Sequence, residues 1–335
     1  MTESIYIEPN HKDTSQFRVP GYLRNAHLQT VLNSQGPRKW RARRILGRLD
    51  SQSLVLVAED GTRLLAELDR AHGAVSTALV VLVHGWEGSS RSSYLVTTAA
   101  GLLAQGYDVL RINLRDHGDS HHLNPELFNS TRSPEVASAL QGFIDERDYQ
   151  HLFLVGFSLG GSFVLRIAAD RGAQLGVNAC VAICPPTDPA RAMDALNNGF
   201  FIYENYFFRR WRDSLRRKLD CFPELDYADD LARARSLDDL NRLLIPRHTI
   251  YDRIEDYFAA YALVGERLST LVSPAYLIAA QDDPIIPVDD LARIEPSELL
   301  HIETCRFGGH CGFLQNLAAH SWAEDRILQI LQQHR

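Results

Sequence analysis

Three short motifs carry the residue types of nucleophilic acyl chemistry, and they follow one another in a set order along the chain. The first is Gly156-Phe157-Ser158-Leu159-Gly160. A strand-like run enters it and an apolar helical pattern leaves it, which predicts a sharp strand–turn–helix with the Ser158 hydroxyl exposed at its apex. Larger residues would collide in so tight a turn, so the flanking glycines have a steric reason. A hydroxyl is a weak nucleophile until a base takes its proton, and that base must itself be held in one tautomer by a third group. Ala280-Gln281-Asp282-Asp283-Pro284-Ile285-Ile286-Pro287 offers the third group, with Asp282 and Asp283 as competing carboxylates. Gly308-Gly309-His310-Cys311-Gly312-Phe313 offers the base. Of thirteen histidines, His310 alone combines a glycine-rich loop with a place after the last strand-like run.

Acyl transfer also needs donors aimed at the oxygen that gains charge. Leu159 opens the helix after Ser158, so its N–H is free for this use. The loop Val83-His84-Gly85-Trp86-Glu87-Gly88-Ser89-Ser90 supplies a second donor, the N–H of Trp86. His84 is expected to hydrogen-bond the loop backbone. His84, His117, His121 and His122 have no spacing that suits a metal. Of the five cysteines, Cys180 and Cys184 lie in an apolar run and read as small buried hydrophobes. No metal, cofactor or disulfide framework is expected, and the cysteine usage suits a reducing cytoplasm.

The elements that would position these motifs can be read from hydrophobic period. Ser53 to Leu68 predicts a hairpin turning at Asp60-Gly61. Thr77 to Val83 is a continuous apolar run, as in a strand buried on both faces. Strands at 107–113, 151–156 and 177–184 alternate with helices at 94–105, 134–148 and 159–170. That alternation predicts a mostly parallel sheet covered by helices on both faces. It breaks between 185 and 270, where helical periodicity replaces it, and resumes with strands at 273–280 and 299–305 and a last helix at 321–333. The expected organisation is an N-terminal extension at 1–50 packed on an α/β core of 51–184 and 271–335. A helical cap at 185–270 would lie over the C-terminal strand ends, where open α/β sheets bind ligands.

These features resemble the α/β-hydrolase superfamily, and in detail its YheT-like branch. The segment Phe17–Thr30 resembles the branch's N-terminal signature, an aromatic and proline stretch leading to R-N-x-H-L-Q-T. The His84 loop with Tyr94, the elbow through Gly161, Asp282-Asp283-Pro284 and Gly308–Phe313 also fit. The resemblance implies a carboxylic-ester hydrolase, with acyl transfer to alcohols known in some relatives. It favours Asp283, before Pro-Ile-Ile-Pro, as the acid of a Ser158–Asp283–His310 triad. Asp116 departs from the pattern, since relatives commonly carry glycine there.

Composition narrows the classes further. Hydrophobic residues make up 45% of 335 and no apolar run is long enough to span a bilayer, so the chain reads as a globular protein. Met1–Ile5 lacks the basic start and apolar run of a leader. A net charge of −7 without a matching motif argues against nucleic acid as a partner. Residues 1–50 nevertheless hold nine Lys/Arg against four Asp/Glu, with Arg38, Lys39, Arg41, Arg43 and Arg44 together. The preferred reading of that run is a solvated segment. Tyr203, Phe207, Trp211, Leu215 and Leu219 recur every four residues, beside Arg209, Arg210, Arg212, Arg216, Arg217 and Lys218. A cap helix with a solvated basic rim is the preferred reading, and a lid meeting acyl chains or an anionic membrane surface is the alternative. The expected partner is a small-molecule or lipid-like ester. Two other functions keep the same scaffold: an acyltransferase with the same triad, and a non-enzymatic binding protein. A dehalogenase would need aspartate at position 158.

Overall fold

The computed structural model describes Lys12, Asp13, residues 17–73 and residues 76–335. Met1–Ile5, from which no leader is expected, lies outside the described residues. Among the described residues nine strands form one sheet: β1 (Lys12–Asp13), β2 (Gln52–Val57), β3 (Arg63–Asp69), β4 (Ala78–Val83), β5 (Asp108–Ile112), β6 (His151–Phe157), β7 (Val177–Ile183), β8 (Ala275–Ala280) and β9 (Leu300–Cys305). Their order is β1-β9-β8-β7-β6-β4-β5-β3-β2. Among the strands of the described residues, only β2 with β3 and β3 with β5 pair antiparallel.

The parallel strands are apolar throughout because both of their faces are covered. Along β4, Leu79, Val81 and Val83 join one core while Ala78, Val80 and Leu82 join the other, as a period of two requires. Helices α4 (Ser133–Asp145) and α5 (Leu159–Leu175) close the first core through Val136, Leu140, Phe163 and Ile167. Helices α3 (Ser93–Ala104) and α11 (Trp322–Gln333) close the second through Leu95, Leu102, Ile327 and Ile330.

The hairpin differs from the expected tight turn. Ala58 N–H bonds Thr62 O at 2.8 Å, which leaves three residues in the loop. Gly61 takes the left-handed position, φ 84°, that such a loop needs. Helix α5 runs past Asp170 to Leu175 and stops at Gly176, which is left-handed (φ 66°, ψ 38°).

Helices α1 (Ala26–Ser34) and α2 (Pro37–Leu46) precede the hairpin. The solvated reading of the 38–44 run needs correction at its first residue. Arg38 is fully buried, donating to Thr97 Oγ1 at 3.3 Å and paired with Asn33 and Glu324. Arg43 and Arg44 are exposed.

Between β7 and β8 stand five helices: α6 (Pro189–Asn198), α7 (Phe201–Cys221), α8 (Ala228–Arg233), α9 (Leu237–His248) and α10 (Ile254–Ala260). They enclose a core of their own built on Tyr203, Phe208, Leu215, Tyr227, Leu237 and Leu240. Among the described residues no helix is long and apolar enough to cross a membrane. The chain passes from β4 to β5 on one side and then to β6 on the other, so strand order reverses at β4/β6. Open α/β sheets bind ligands in the crevice at such a point. The loop after β4 and the turn after β6 both emerge there.

Candidate active site

Ser158 stands at the apex of the turn between β6 and α5 with φ 51° and ψ −123°, a strained conformation for any residue with a side chain. A Cβ at Gly156 would lie 2.1 Å from Gly160 O, and one at Gly160 would lie 2.3 Å from Val83 O. Both glycines are therefore required for the turn to form.

The hydroxyl, the imidazole and a carboxylate form one chain of hydrogen bonds. His310 Nε2 is 2.9 Å from Ser158 Oγ, and Nδ1 is 2.8 Å from Asp283 Oδ2. An ionised carboxylate only accepts, so Nδ1 carries the proton and Nε2 is left to accept from the hydroxyl. The other oxygen of Asp283 accepts from the N–H groups of Ile285 and Ile286 at 2.8 and 3.0 Å, which fixes the carboxylate. Of the two competing aspartates, the structure brings Asp283 to the imidazole. Asp282 instead accepts from Gly309 N–H at 2.9 Å, and burial raises its pKa. Burial also opposes a charged His310, but the Asp283 carboxylate and the Cys311 thiol more than offset it and hold the imidazole well above its usual range.

Two backbone donors flank the hydroxyl. Leu159 is the first residue of α5 and Trp86 follows Gly85 in the loop after β4, and neither N–H has an acceptor among the described residues. The Trp86 loop is pinned by Gly85 N–H to Tyr94 Oη at 2.9 Å and by Ser90 N–H to Asn113 Oδ1 at 2.8 Å. His84 bonds the loop backbone as expected. Its Nδ1 meets Gly85 O at 2.7 Å and its Nε2 accepts from Leu114 N–H at 3.1 Å. Burial depresses it to about 4, so it stays neutral.

Helix α1 braces the His310 loop. Thr30 Oγ1 accepts from His310 N–H at 2.9 Å, and Gln29 bonds both the N–H and the C=O of Leu314. A Cβ at Gly309 would meet Ala26 O at 2.4 Å, so α1 leaves room only for glycine there.

Residues 80–319 match the Alpha/beta hydrolase family. The chain belongs to that family. The candidate esterase YheT of Escherichia coli (strain K12) is 27% identical over 90% of this chain and 89% of its own. That likeness places this α/β-hydrolase in the YheT-like branch. An abhydrolase domain-containing protein of Dictyostelium discoideum is 23% identical over 97% of this chain and 82% of its own. Among solved structures, an esterase of Pyrococcus furiosus superposes with a TM-score of 0.56 at 13% identity, covering 87% of this chain and 95% of its own. At that identity it speaks for the fold alone.

Two cavities of this hydrolase meet at Ser158. One, of about 90 Å³, is apolar and runs along α6 and α7 between Leu159, Met193, Leu196, Phe207, Trp211 and Ile285. The other, of about 590 Å³, is an open groove between α1, α2 and α7, and it carries Lys39, Arg43, Arg91 and Arg210. The Trp86 indole separates them, stacked on Phe207 (centroids 5.2 Å apart, planes at 7°) and edge-on to Trp211.

The expected basic rim of α7 is corrected at Lys218. This residue is 1% exposed, and its Nζ donates to Asp116 Oδ1 at 2.7 Å and to His121 O at 3.3 Å. Asp116, at φ 57°, also accepts from Phe128 N–H at 2.8 Å. Burial lowers the lysine and raises the aspartate, and their mutual attraction opposes both shifts. Lys218 lies three residues after Leu215 and seven after Trp211, so helical spacing already put it on the inward face.

Glu87 is a buried acid within the Trp86 loop. Burial pushes its carboxyl up to about 7, while Arg210 and Arg217 pull it back. The folded pKa thus exceeds the unfolded value, so folding favours the protonated form. This group costs nothing below about pH 4.5 and destabilises progressively as pH rises from there to about 7. Glu87→Gln is expected to raise Tm by several degrees at about pH 8 and to leave it nearly unchanged at about pH 4. Thermal melts of both proteins at the two pH values check this, and an equal effect at both would refute it.

One grouping of metal-type ligands occurs among the described residues: Cys184, His310 and Cys311, with ligand atoms within 4.8 Å of one another. A metal there would compete with Ser158 and Asp283 for the imidazole.

Proposed function

We propose that the protein is a serine hydrolase of carboxylic esters that works through an acyl-enzyme. The observation that carries this reading is the unbroken path Ser158 Oγ–His310–Asp283 at the apex of a strained elbow. Ser158 attacks the ester carbonyl while His310 takes its proton and Asp283 stabilises the imidazolium. The N–H groups of Leu159 and Trp86 hold the oxyanion, each worth roughly 10²–10³ in rate. His310 then protonates the departing alcohol, and water enters by the same route to release the acid. The same residues could pass the acyl group to an alcohol. The open groove, which admits water to His310, favours hydrolysis.

The two cavities divide the substrate. The apolar cavity suits the acyl part, and the groove with its four cations suits a larger, polar or anionic alcohol part. Phe200, Phe201, Ile202 and Tyr206 stand exposed on α7 and at its start, as suits a lipid-like ester.

An alkyl fluorophosphonate is expected to label the chain once, on the peptide carrying Ser158. Hydrolysis of p-nitrophenyl esters is expected to rise from acetate to medium acyl chains. Trp211→Ala is then expected to shift the optimum to longer chains. Absence of label on Ser158 would overturn the serine-hydrolase reading, and strict preference for acetate would overturn the acyl-pocket assignment.

A further inference from the structure

The mechanism leaves two thiols at the site without a task. Cys184 follows β7, and Cys311 follows His310 directly. Both are buried, and both hold left-handed backbone, φ 47° and 59°. Their sulfurs and a ring nitrogen of His310 lie within 4.8 Å of one another, and Cys311 N–H points at Cys184 Sγ at 3.4 Å. Cys311 borders the open groove that leads to Ser158. A small oxidant that enters as substrate does meets Cys311 first, with Cys184 behind it.

We propose that Cys184 and Cys311 form a redox pair that a peroxide closes into a disulfide, drawing His310 away from Ser158 and shutting the site reversibly. The consequence for activity rests on the hydrolase reading, whereas the bond itself does not. The Cys311 thiolate attacks one oxygen of hydrogen peroxide and the O–O bond breaks. The sulfur becomes a sulfenic acid, and the hydroxide released takes a proton to become water. The Cys184 sulfur then attacks the sulfenic sulfur, the S–S bond forms, and the displaced hydroxide leaves as a second water with the Cys184 proton. Two electrons pass from the two thiols to one peroxide.

Electrostatics make Cys311 the first sulfur to react, and anchoring makes His310 the residue that moves. Burial works against a Cys311 thiolate, yet the Cys184 thiol's hydrogen bond and the charge on His310 hold it down at about 6. Burial pushes the Cys184 thiol the other way. A disulfide needs its sulfurs about 2.05 Å apart, so the pair must close up from its present spacing. Cys184 cannot yield easily, because its N–H bonds Ile278 O at 2.7 Å at the end of a central strand. Cys311 lies on a loop that, among the described residues, no strand pairing holds; its ties to α1 run through the Thr30 and Gln29 side chains, so it is the sulfur that shifts. Its movement drags His310, whose two working bonds are only 2.8 and 2.9 Å long. A displacement of about 1 Å in such a constellation costs on the order of 10² in rate.

The test treats the purified full chain with hydrogen peroxide in buffer containing a chelator, which removes metal binding as a cause. Free thiols are then alkylated under denaturing conditions, and the unreduced digest is mapped by mass spectrometry. The expected result is a linked Cys184–Cys311 peptide that appears in step with a loss of about a hundredfold in ester hydrolysis, both reversed by dithiothreitol. Cys184→Ala is expected to keep basal activity and to give no linked peptide; with no second thiol to resolve it, the Cys311 sulfenic acid meets a second peroxide and becomes a sulfinic acid, a loss that dithiothreitol does not restore. Cys184→Ser gives the same readout should the alanine variant fold poorly. Alkylation of both thiols after peroxide, or the linked peptide in fully active protein, would overturn the proposal. Failure of the hydrolase reading looks different: the untreated protein is inactive and unlabelled at Ser158, while the linked peptide still decides the pair.

Discussion

Ser158→Ala is expected to lower kcat for ester hydrolysis by on the order of 10⁶, with KM little changed and the fold intact. The variant loses one oxygen, whose bond in the site is the one to His310 Nε2. Alanine keeps the Cβ, so the strained backbone at φ 51° is no worse than with serine. The Leu159 and Trp86 donors survive, and residual turnover of about 10³–10⁴ over water is expected from them and from binding. Ser158→Ala/His310→Ala is expected to be no slower than the single variant, because the residues act as one unit. Asp283→Asn is expected to cost about 10⁴ by favouring the wrong imidazole tautomer, whereas Asp282→Asn, off the proton path, is expected to cost far less. The comparison belongs on the alkaline side. His310 must be neutral to act as base, and its pKa is raised, so kcat/KM climbs as pH rises through that pKa and then levels off. Initial rates on a p-nitrophenyl ester across pH measure all of this. Near-full activity in Ser158→Ala would end the proposal.

The sheet and the elbow were legible because local sequence determines them. A run such as Ala78–Val83, buried on both faces, has no polar alternative. Gly156 and Gly160 are required by contacts within the turn and with the neighbouring strand. The choice between Asp282 and Asp283 was not legible from the residues themselves. Adjacent carboxylates at one turn differ only in direction, and Asp283 is selected by the Ile285 and Ile286 amides and by the imidazole. Arg38 and Lys218 were misread for another reason. In a run of like charges, composition hides which member faces inward; spacing from Trp211 and Leu215 signals it for Lys218, but the partners Glu324 and Asp116 stand 286 and 102 residues away. The bracing of His310 by Thr30, across 280 residues, is of the same kind. So is the approach of Cys184 to Cys311 across 127 residues.

The second large effect is expected at Lys218, far from the chemistry. Lys218→Met keeps the length and most of the volume of the side chain, but it leaves the Asp116 carboxylate buried with Phe128 N–H and no cation. Removing one partner of such a pair typically costs about 3–5 kcal/mol. That exceeds what a surface lysine on a helix contributes, about 0–1 kcal/mol, so urea unfolding separates the two cases. Asp116→Gly/Lys218→Met removes the orphaned charge and relieves the left-handed φ of 57°, so the double variant is expected to recover most of the loss. Lys218→Met by itself should also lower ester hydrolysis, for a structural reason. Lys218 ties α7 to the loop after β5, and α7 carries Phe207 and Trp211, the two rings that hold Trp86 beside Ser158. If the ion pair merely decorated the cap, Lys218→Met would unfold within about 1 kcal/mol of the parent, and the double variant would be no more stable than the single.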